Sequence, residues 1–181
     1  MALETPEYEL ISKHDGFEIR RYSEMIIATT SVEADYKSST SSGFRRIANY
    51  IFGNNDKEMK IAMTAPVISD CPSEGLETYN ISFVMPKEHS MKDLPKANSG
   101  HVSIKKEALG DVAVLAFGGW ASEFRSVTYQ EKLATLLQQN NNDTQGGFMV
   151  AQFNSPYTLP MFRKNELMVR ILNAPNKESG L

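Results

Sequence analysis

Two stretches of this chain, "KIAMTAPV" at 60–67 and "VAQFNSP" at 150–156, each read as a short apolar strand running into a proline, Pro66 in the first and Pro156 in the second. Proline has no main-chain N–H and a fixed φ, so it cannot continue a strand through the interior of a sheet. A chain that punctuates two distant strands alike is most simply built from two copies of one unit.

The segments around the two prolines follow that plan. In the first half, "YELISK" and "FEIRRY" alternate apolar and polar residues on either side of a turn at His14-Asp15-Gly16. "MIIATTSVEA" is β-branched and reads as a longer strand. The cluster "KSSTSSG" offers N-cap oxygens to a helix "FRRIANYIFG", in which Phe44, Ile47, Ala48 and Ile51 share one face and Gly53 stands at the C′ position. The strands "MKIAMTAPV" and "YNISFVMP" close the half. In the second half "HVSIKKEAL" and "VAVLAFGGW" are strands, and "SEFRSVTYQEKLATLLQQN" is a helix with a stripe of Phe124, Val127, Leu133, Leu136 and Leu137. "FMVAQF" and "ELMVRIL" complete it, and the polar stretch "KEHSMKDLPKANSG" links the halves.

A strand–strand–helix–strand–strand unit has one apolar sheet face that a single helix cannot cover, so two units must combine. The expected fold class is α+β. A duplicated β-β-α-β-β unit, with repeats at about 8–86 and 101–172, forms a distorted antiparallel β-barrel flanked by two helices. The 181 residues make one domain, 1–181, large enough to fold without a metal or disulfide.

Several functions are argued against by what the chain contains. A net charge of −3 gives no pull toward nucleic acid, and no apolar run reaches the length of a membrane span. "MALETPEYEL" has neither the basic nor the apolar region of a signal peptide. With the single Cys71, this points to the cytoplasm. His14, His89 and His101 lie in polar, turn-like stretches without metal-ligand spacing, and read as solvated. Nine methionines suit an irregular core or a pocket for a flat apolar ligand. The basic pairs Arg20-Arg21, Arg45-Arg46 and Arg163-Lys164 read either as surface charge or as clamps for ligand carboxylates. Glu166, at the head of an apolar strand, pairs with Arg163 or Lys164, or else serves a pocket as a cation receptor or general base.

The stretches "GFEIRRY", "GNNDKEMKIAMTAPV", "FVMP" and "FNSPYTLPMFRKNE", spread between Tyr8 and Leu172, together resemble the SOUL haem-binding protein family. The resemblance implies the duplicated barrel with two helices. It also implies reversible, non-covalent binding of haem or a related porphyrin in an apolar groove, as a carrier or buffer rather than an enzyme. By motif, that groove takes Phe44, Ile47, Ala48 and Ile51 from the first helix, and Met161, Phe162, Arg163 and Lys164 from the loop before the last strand. Some members carry an iron-ligating histidine just before the tyrosine of "FEIRRY". Here Arg21 stands there, so no strong axial ligand is expected. The fold also looks similar to drug-sensing domains of bacterial regulators, which use a buried carboxylate. That likeness supports the alternative of a sensor of, or enzyme acting on, small hydrophobic molecules through Glu166. The small-molecule partner is thus a tetrapyrrole, with the oligomeric state left open.

Overall fold

The structure, a computed structural model, describes residues 2–172, so the ends of the domain expected over 1–181 lie outside the described residues. Nine strands form one antiparallel sheet: β1 (Tyr8–His14), β2 (Phe17–Tyr22), β3 (Met25–Glu33), β4 (Val67–Asp70), β5 (Thr78–Val84), β6 (Ser103–Glu107), β7 (Gly110–Gly118), β8 (Thr144–Gln152) and β9 (Lys164–Ile171). Helix α1 (Tyr36–Ile51) lies between β3 and β4, and α2 (Glu123–Gln139) between β7 and β8. The strand order is β1-β2-β7-β9-β8-β4-β5-β3-β6. About the β8–β4 junction this order reads alike in both directions. Each half contributes a block of three neighbouring strands, and the leading strand of each half (β2 or β6) pairs with the other half's block. This is the arrangement a duplicated β-β-α-β-β unit produces, with β1 as an extra edge.

Residues opposite each other on neighbouring strands share a face, so the register identifies which side each helix covers. Phe83 opposes Ala28 and Val67, and Ser69 opposes Val150, which in turn opposes Leu167. Phe83 packs with Ile47, Tyr50 and Ile51 of α1, while Val150 and Leu167 pack with Leu133 and Leu137 of α2. Both helices therefore cover one face. The other face carries Tyr22 of β2, Ile27 of β3, Ile68 of β4, Val114 of β7 and Met168 of β9 in a single buried cluster. β2 and β3 are six places apart in the order, about 29 Å in a flat sheet. Their side chains meet because the sheet curls into a half-barrel around this second face.

Several local readings are corrected by the structure. "KIAMTA" is extended but stands outside the sheet: Ile61 N–H donates to the Ile51 carbonyl and Ala65 N–H to that of Glu4. Pro66 precedes β4, whereas Pro156 follows β8, so the two prolines are not equivalent. A residue without an N–H is tolerated at either end of a strand, and the sequence pattern does not distinguish the two. Helix α1 begins before the Ser/Thr cluster rather than after it. Asp35 is the N-cap, accepting from Ser38 N–H, and the hydroxyls bond backward, Thr40 Oγ1 to the Tyr36 carbonyl. In α2, Phe124 is 80% exposed, and the inward position of the first turn is taken by buried Ser126. β8 begins at Thr144, earlier than the apolar run, through Gly146 at φ +77° and a bulge before Met149.

Gly43 lies inside α1, against β5. A Cβ built there would stand 2.7 Å from Ile81 Cγ1 and Cδ1 and 2.8 Å from its Cβ. Alanine would gain up to about 1 kcal/mol of helix propensity, but overpacking of this kind costs about 1–3 kcal/mol. Gly43→Ala is expected to lower stability in a urea or thermal denaturation experiment. A more stable variant would show that α1 is free to lift from the sheet.

Candidate functional site

The curl leaves a cavity of about 140 Å³ on the inner face, lined by Tyr8, Arg20, Tyr22, Ile68, Phe153, Lys164, Glu166 and Met168, with Thr5, Pro6, Pro66 and Leu109 at its margin. Its wall follows from the period of two. Arg20 and Tyr22 alternate with Ile19 and Arg21 on β2, so they project inward. Glu166 and Met168 do the same on β9. Glu166 is fully buried, and both its oxygens lie 3.0 Å from Nη1 of Arg20. Lys164 Nζ is 3.6 Å from Oε1, at the more exposed end of the cavity. Arg20 also donates to Tyr22 Oη and, through Nε, to Glu18, and its guanidinium lies 4.3 Å over the Tyr8 ring. Burial by itself would lower the Arg20 pKa. The hydrogen bond to Tyr22 and the charge of Glu166 together outweigh it, and the group is held above its ordinary value. Tyr22 is raised, chiefly by burial.

Of the two partners expected for Glu166, Lys164 is near it and Arg163 is not, and the main partner is Arg20 of the Arg20-Arg21 pair. Its signal was available in the alternation of "FEIRRY", which puts Arg20 and Tyr22 on one side and Arg21 on the other. Arg21 is exposed and forms a two-pronged pair with Asp111 across the β2–β7 ladder. The guanidinium of Arg20 already fills the place of a ligand cation beside Glu166.

The residues assigned to a groove by resemblance fall in two places. On α1, Ile47, Ala48 and Ile51 are buried and Phe44 packs against Phe83, so this face is part of the core. Arg45 is exposed, and Arg46 donates to the Ser31 carbonyl. The loop before β9 behaves differently. Met161 is 76% and Phe162 69% exposed, on a short 3-10 turn (Pro160–Phe162) beside Tyr157, Leu159 and half-exposed Trp120. Arg163 and Lys164 diverge: Lys164 turns to the cavity, with Nζ 4.6 Å over Phe153. Arg163 is buried beneath the loop, donates to the carbonyls of Ser155 and Thr158, and stacks 4.3 Å over Trp120. Burial lowers its pKa. Asn165 Nδ2 ties the same region to the Gly119 carbonyl. The apolar tip is therefore fastened from below by Arg163 and Asn165, through bonds to main-chain carbonyls.

Cys71 is buried between β4 and α2, and burial pushes its thiol up to about 12, which removes it from thiolate chemistry at neutral pH. Among the described residues no group of three His, Cys, Asp or Glu could hold a metal ion, and no helix is long and apolar enough to cross a membrane.

A family model described as SOUL heme-binding protein matches residues 3–170. Heme-binding protein 2 of Homo sapiens is 34% identical, covering 98% of this chain and 91% of that protein, and its Mus musculus counterpart is 31% identical with the same coverage. Among solved structures, the EcmrR C-terminal domain gives a TM-score of 0.64 at 10% identity, over 92% of this chain and 99% of that one. A hydrolase from Listeria innocua gives 0.59 at 12%, over 86% and 91%. At such identities these likenesses concern the fold alone.

The buried pair at the cavity makes a direct prediction. Arg20→Met leaves Glu166 buried without its main partner and is expected to cost about 3–5 kcal/mol, while Arg20→Met combined with Glu166→Leu should recover most of that loss. Denaturant melts of the two variants measure both. A single variant as stable as the native protein would mean that Lys164 alone satisfies the carboxylate.

Proposed function

The chain belongs to the SOUL haem-binding family, and from that premise we propose that it binds haem or a related tetrapyrrole reversibly, as a carrier or buffer and without catalysis. The observation that carries this reading is the apolar tip before β9. Tyr157, Met161 and Phe162 stand exposed to water close together in the chain, and exposed apolar clusters of this kind mark interaction surfaces. Arg163 holds the tip in one posture from beneath, so little order remains to be gained on binding. Aromatic faces and a thioether suit a flat macrocycle.

Within this reading the site residues have distinct tasks. Met161 and Phe162, with Trp120 beside them, contact the ligand. Lys164, more than half exposed at the base of the loop, is the cation able to reach a ligand carboxylate. Arg163 positions the loop through Nη1, which donates to two main-chain carbonyls. Phe44, Ile47, Ala48 and Ile51 support the scaffold from the core, and Arg21 takes no part.

Burying roughly 300 Å² of ligand apolar surface at about 25 cal/mol/Å² gives about 7 kcal/mol before the cost of association. Exchangeable binding follows, with no need for an iron bond at this place. Metal-free protoporphyrin should therefore quench Trp120, the single tryptophan of the chain, about as effectively as haem does. Met161→Ala with Phe162→Ala should weaken that binding about tenfold or more, each side chain being worth about 1.5–3 kcal/mol when fully buried. A fluorescence titration unchanged by the double substitution would overturn the site, and no quenching by either ligand would overturn the function.

A further inference from the structure

Two connections meet at the end of the sheet where the apolar tip stands. Gly118, the last residue of β7, pairs with Lys164, the first of β9, so the segment leading into α2 lies beside the loop leading into β9. Asn165 Nδ2 donates to the Gly119 carbonyl, Arg163 stacks over Trp120, and Arg125 Nη2 donates to the Gly118 carbonyl. Trp120 and Phe124 of the first connection are exposed, as are Tyr157, Leu159, Met161 and Phe162 of the second. Tyr157 is 95% exposed, so its loop projects as a knob and does not line a groove.

The main chain of the knob is satisfied largely from within. Pro156 and Pro160 have no N–H to satisfy. The N–H groups of Thr158, Phe162 and Arg163 donate to the carbonyls of Ser155, Leu159 and Pro160, and that of Tyr157 donates to Ser155 Oγ. Arg163 Nη1 donates to the carbonyls of Ser155 and Thr158. In water such economy is unnecessary, because the solvent supplies any missing partner. In a hydrocarbon layer it supplies none, and internal pairing is the condition for entry. A protein partner, by contrast, is held in part by about one hydrogen bond per 100–200 Å² of interface, and this knob spends its main-chain donors on itself.

The charges point the same way. From Phe153 to Asn165 the chain carries Arg163 and Lys164 and no carboxylate. Arg163 is buried, and Lys164 lies at the foot of the loop against Glu166 and Phe153. Glu123 stands next to Phe124 in the first turn of α2, and the whole chain has a net charge of −3. Attraction to a surface must therefore come from the apolar side chains and not from charge. Tryptophan and tyrosine, with an apolar ring and one polar group, favour the headgroup level of a bilayer, and leucine, methionine and phenylalanine favour the acyl chains beneath it.

We propose that this end of the molecule docks on a lipid bilayer by shallow insertion of the knob, with Trp120 and Tyr157 at headgroup level and Leu159, Met161 and Phe162 among the upper acyl chains. The docking uses the tip assigned above to the tetrapyrrole but is independent of that ligand.

The full chain, without porphyrin, should co-sediment with phosphatidylcholine vesicles. The emission of Trp120 should shift to the blue and be quenched by lipids brominated near the headgroup end of the acyl chain. Binding should persist in about 1 M salt, where charges are screened beyond about 3 Å. Tyr157→Ser with Leu159→Ser should lower the vesicle partition at least tenfold while leaving the thermal melt unchanged, since both positions are exposed. Phe124→Ser, on the other connection, should lower it severalfold. No co-sedimentation, co-sedimentation without a Trp120 shift, binding lost in salt, or binding that survives both variants overturns the proposal. So does a native dimer, indifferent to vesicles, that the same substitutions dissociate, because the knob would then belong against a second copy. Quenching of Trp120 by protoporphyrin in vesicle-free buffer tests the tetrapyrrole reading alone, so either result can fail while the other stands.

Discussion

Two helices cannot cover a nine-stranded sheet on both faces, and this shortage of cover governs the rest of the molecule. α1 and α2 occupy the same face, which leaves Tyr22, Ile27, Ile68, Val114 and Met168 on the other without a second layer. Their burial drives the sheet to curl until strands six places apart touch. An apolar surface that seals against itself closes imperfectly, because the pleat and twist are set by the backbone and not by the side chains. The small inner cavity is the space left over, and the N-terminal strap closes part of it.

Within that inner face the Arg20–Glu166 pair is the exception to an apolar rule. Bringing two charges out of water is expensive, and their mutual attraction offsets the penalty only when the remaining polar atoms are also satisfied. Here Tyr22, Glu18 and Lys164 do that. The pair links β2 of the first half to β9 of the second, so it ties together strands that no short-range contact would bring into register. It also means that the carboxylate lining the cavity is already paired with a cation of the chain itself.

Most of the architecture was legible in the sequence, because alternation and helical spacing report which face a residue presents. "FEIRRY" is a strand in full, and Gly53 closes α1 as expected. What the sequence concealed was mostly decided by tertiary contact. "KIAMTA" has the composition of a strand, but it is extended against α1 and the N-terminal strap, outside the sheet. Phe124 belongs to a helical stripe by spacing, but the small Ser126 takes the inward place. Arg163 and Lys164 are adjacent in sequence and look like one clamp, and their divergence to opposite sides of the chain follows from the strand beginning between them. His89 stands in a polar stretch, and only the folding of the turn after β5 brings it among methionines contributed by β3 and by the segment around it.

The exchange of leading strands between the halves has a consequence for how the chain comes off the ribosome. β2 is made early, yet one of its two ladders is with β7, whose last residue is Gly118. β3, by contrast, finds β5 and then β6 as soon as they emerge. The first half therefore waits, with its leading hairpin unsheltered, through some ninety residues of synthesis before it can be completed. Neither half possesses a finished core of its own. A single half made as a separate polypeptide would have to meet a second copy and trade a strand with it. With both halves in one chain that encounter is an intramolecular event, independent of concentration.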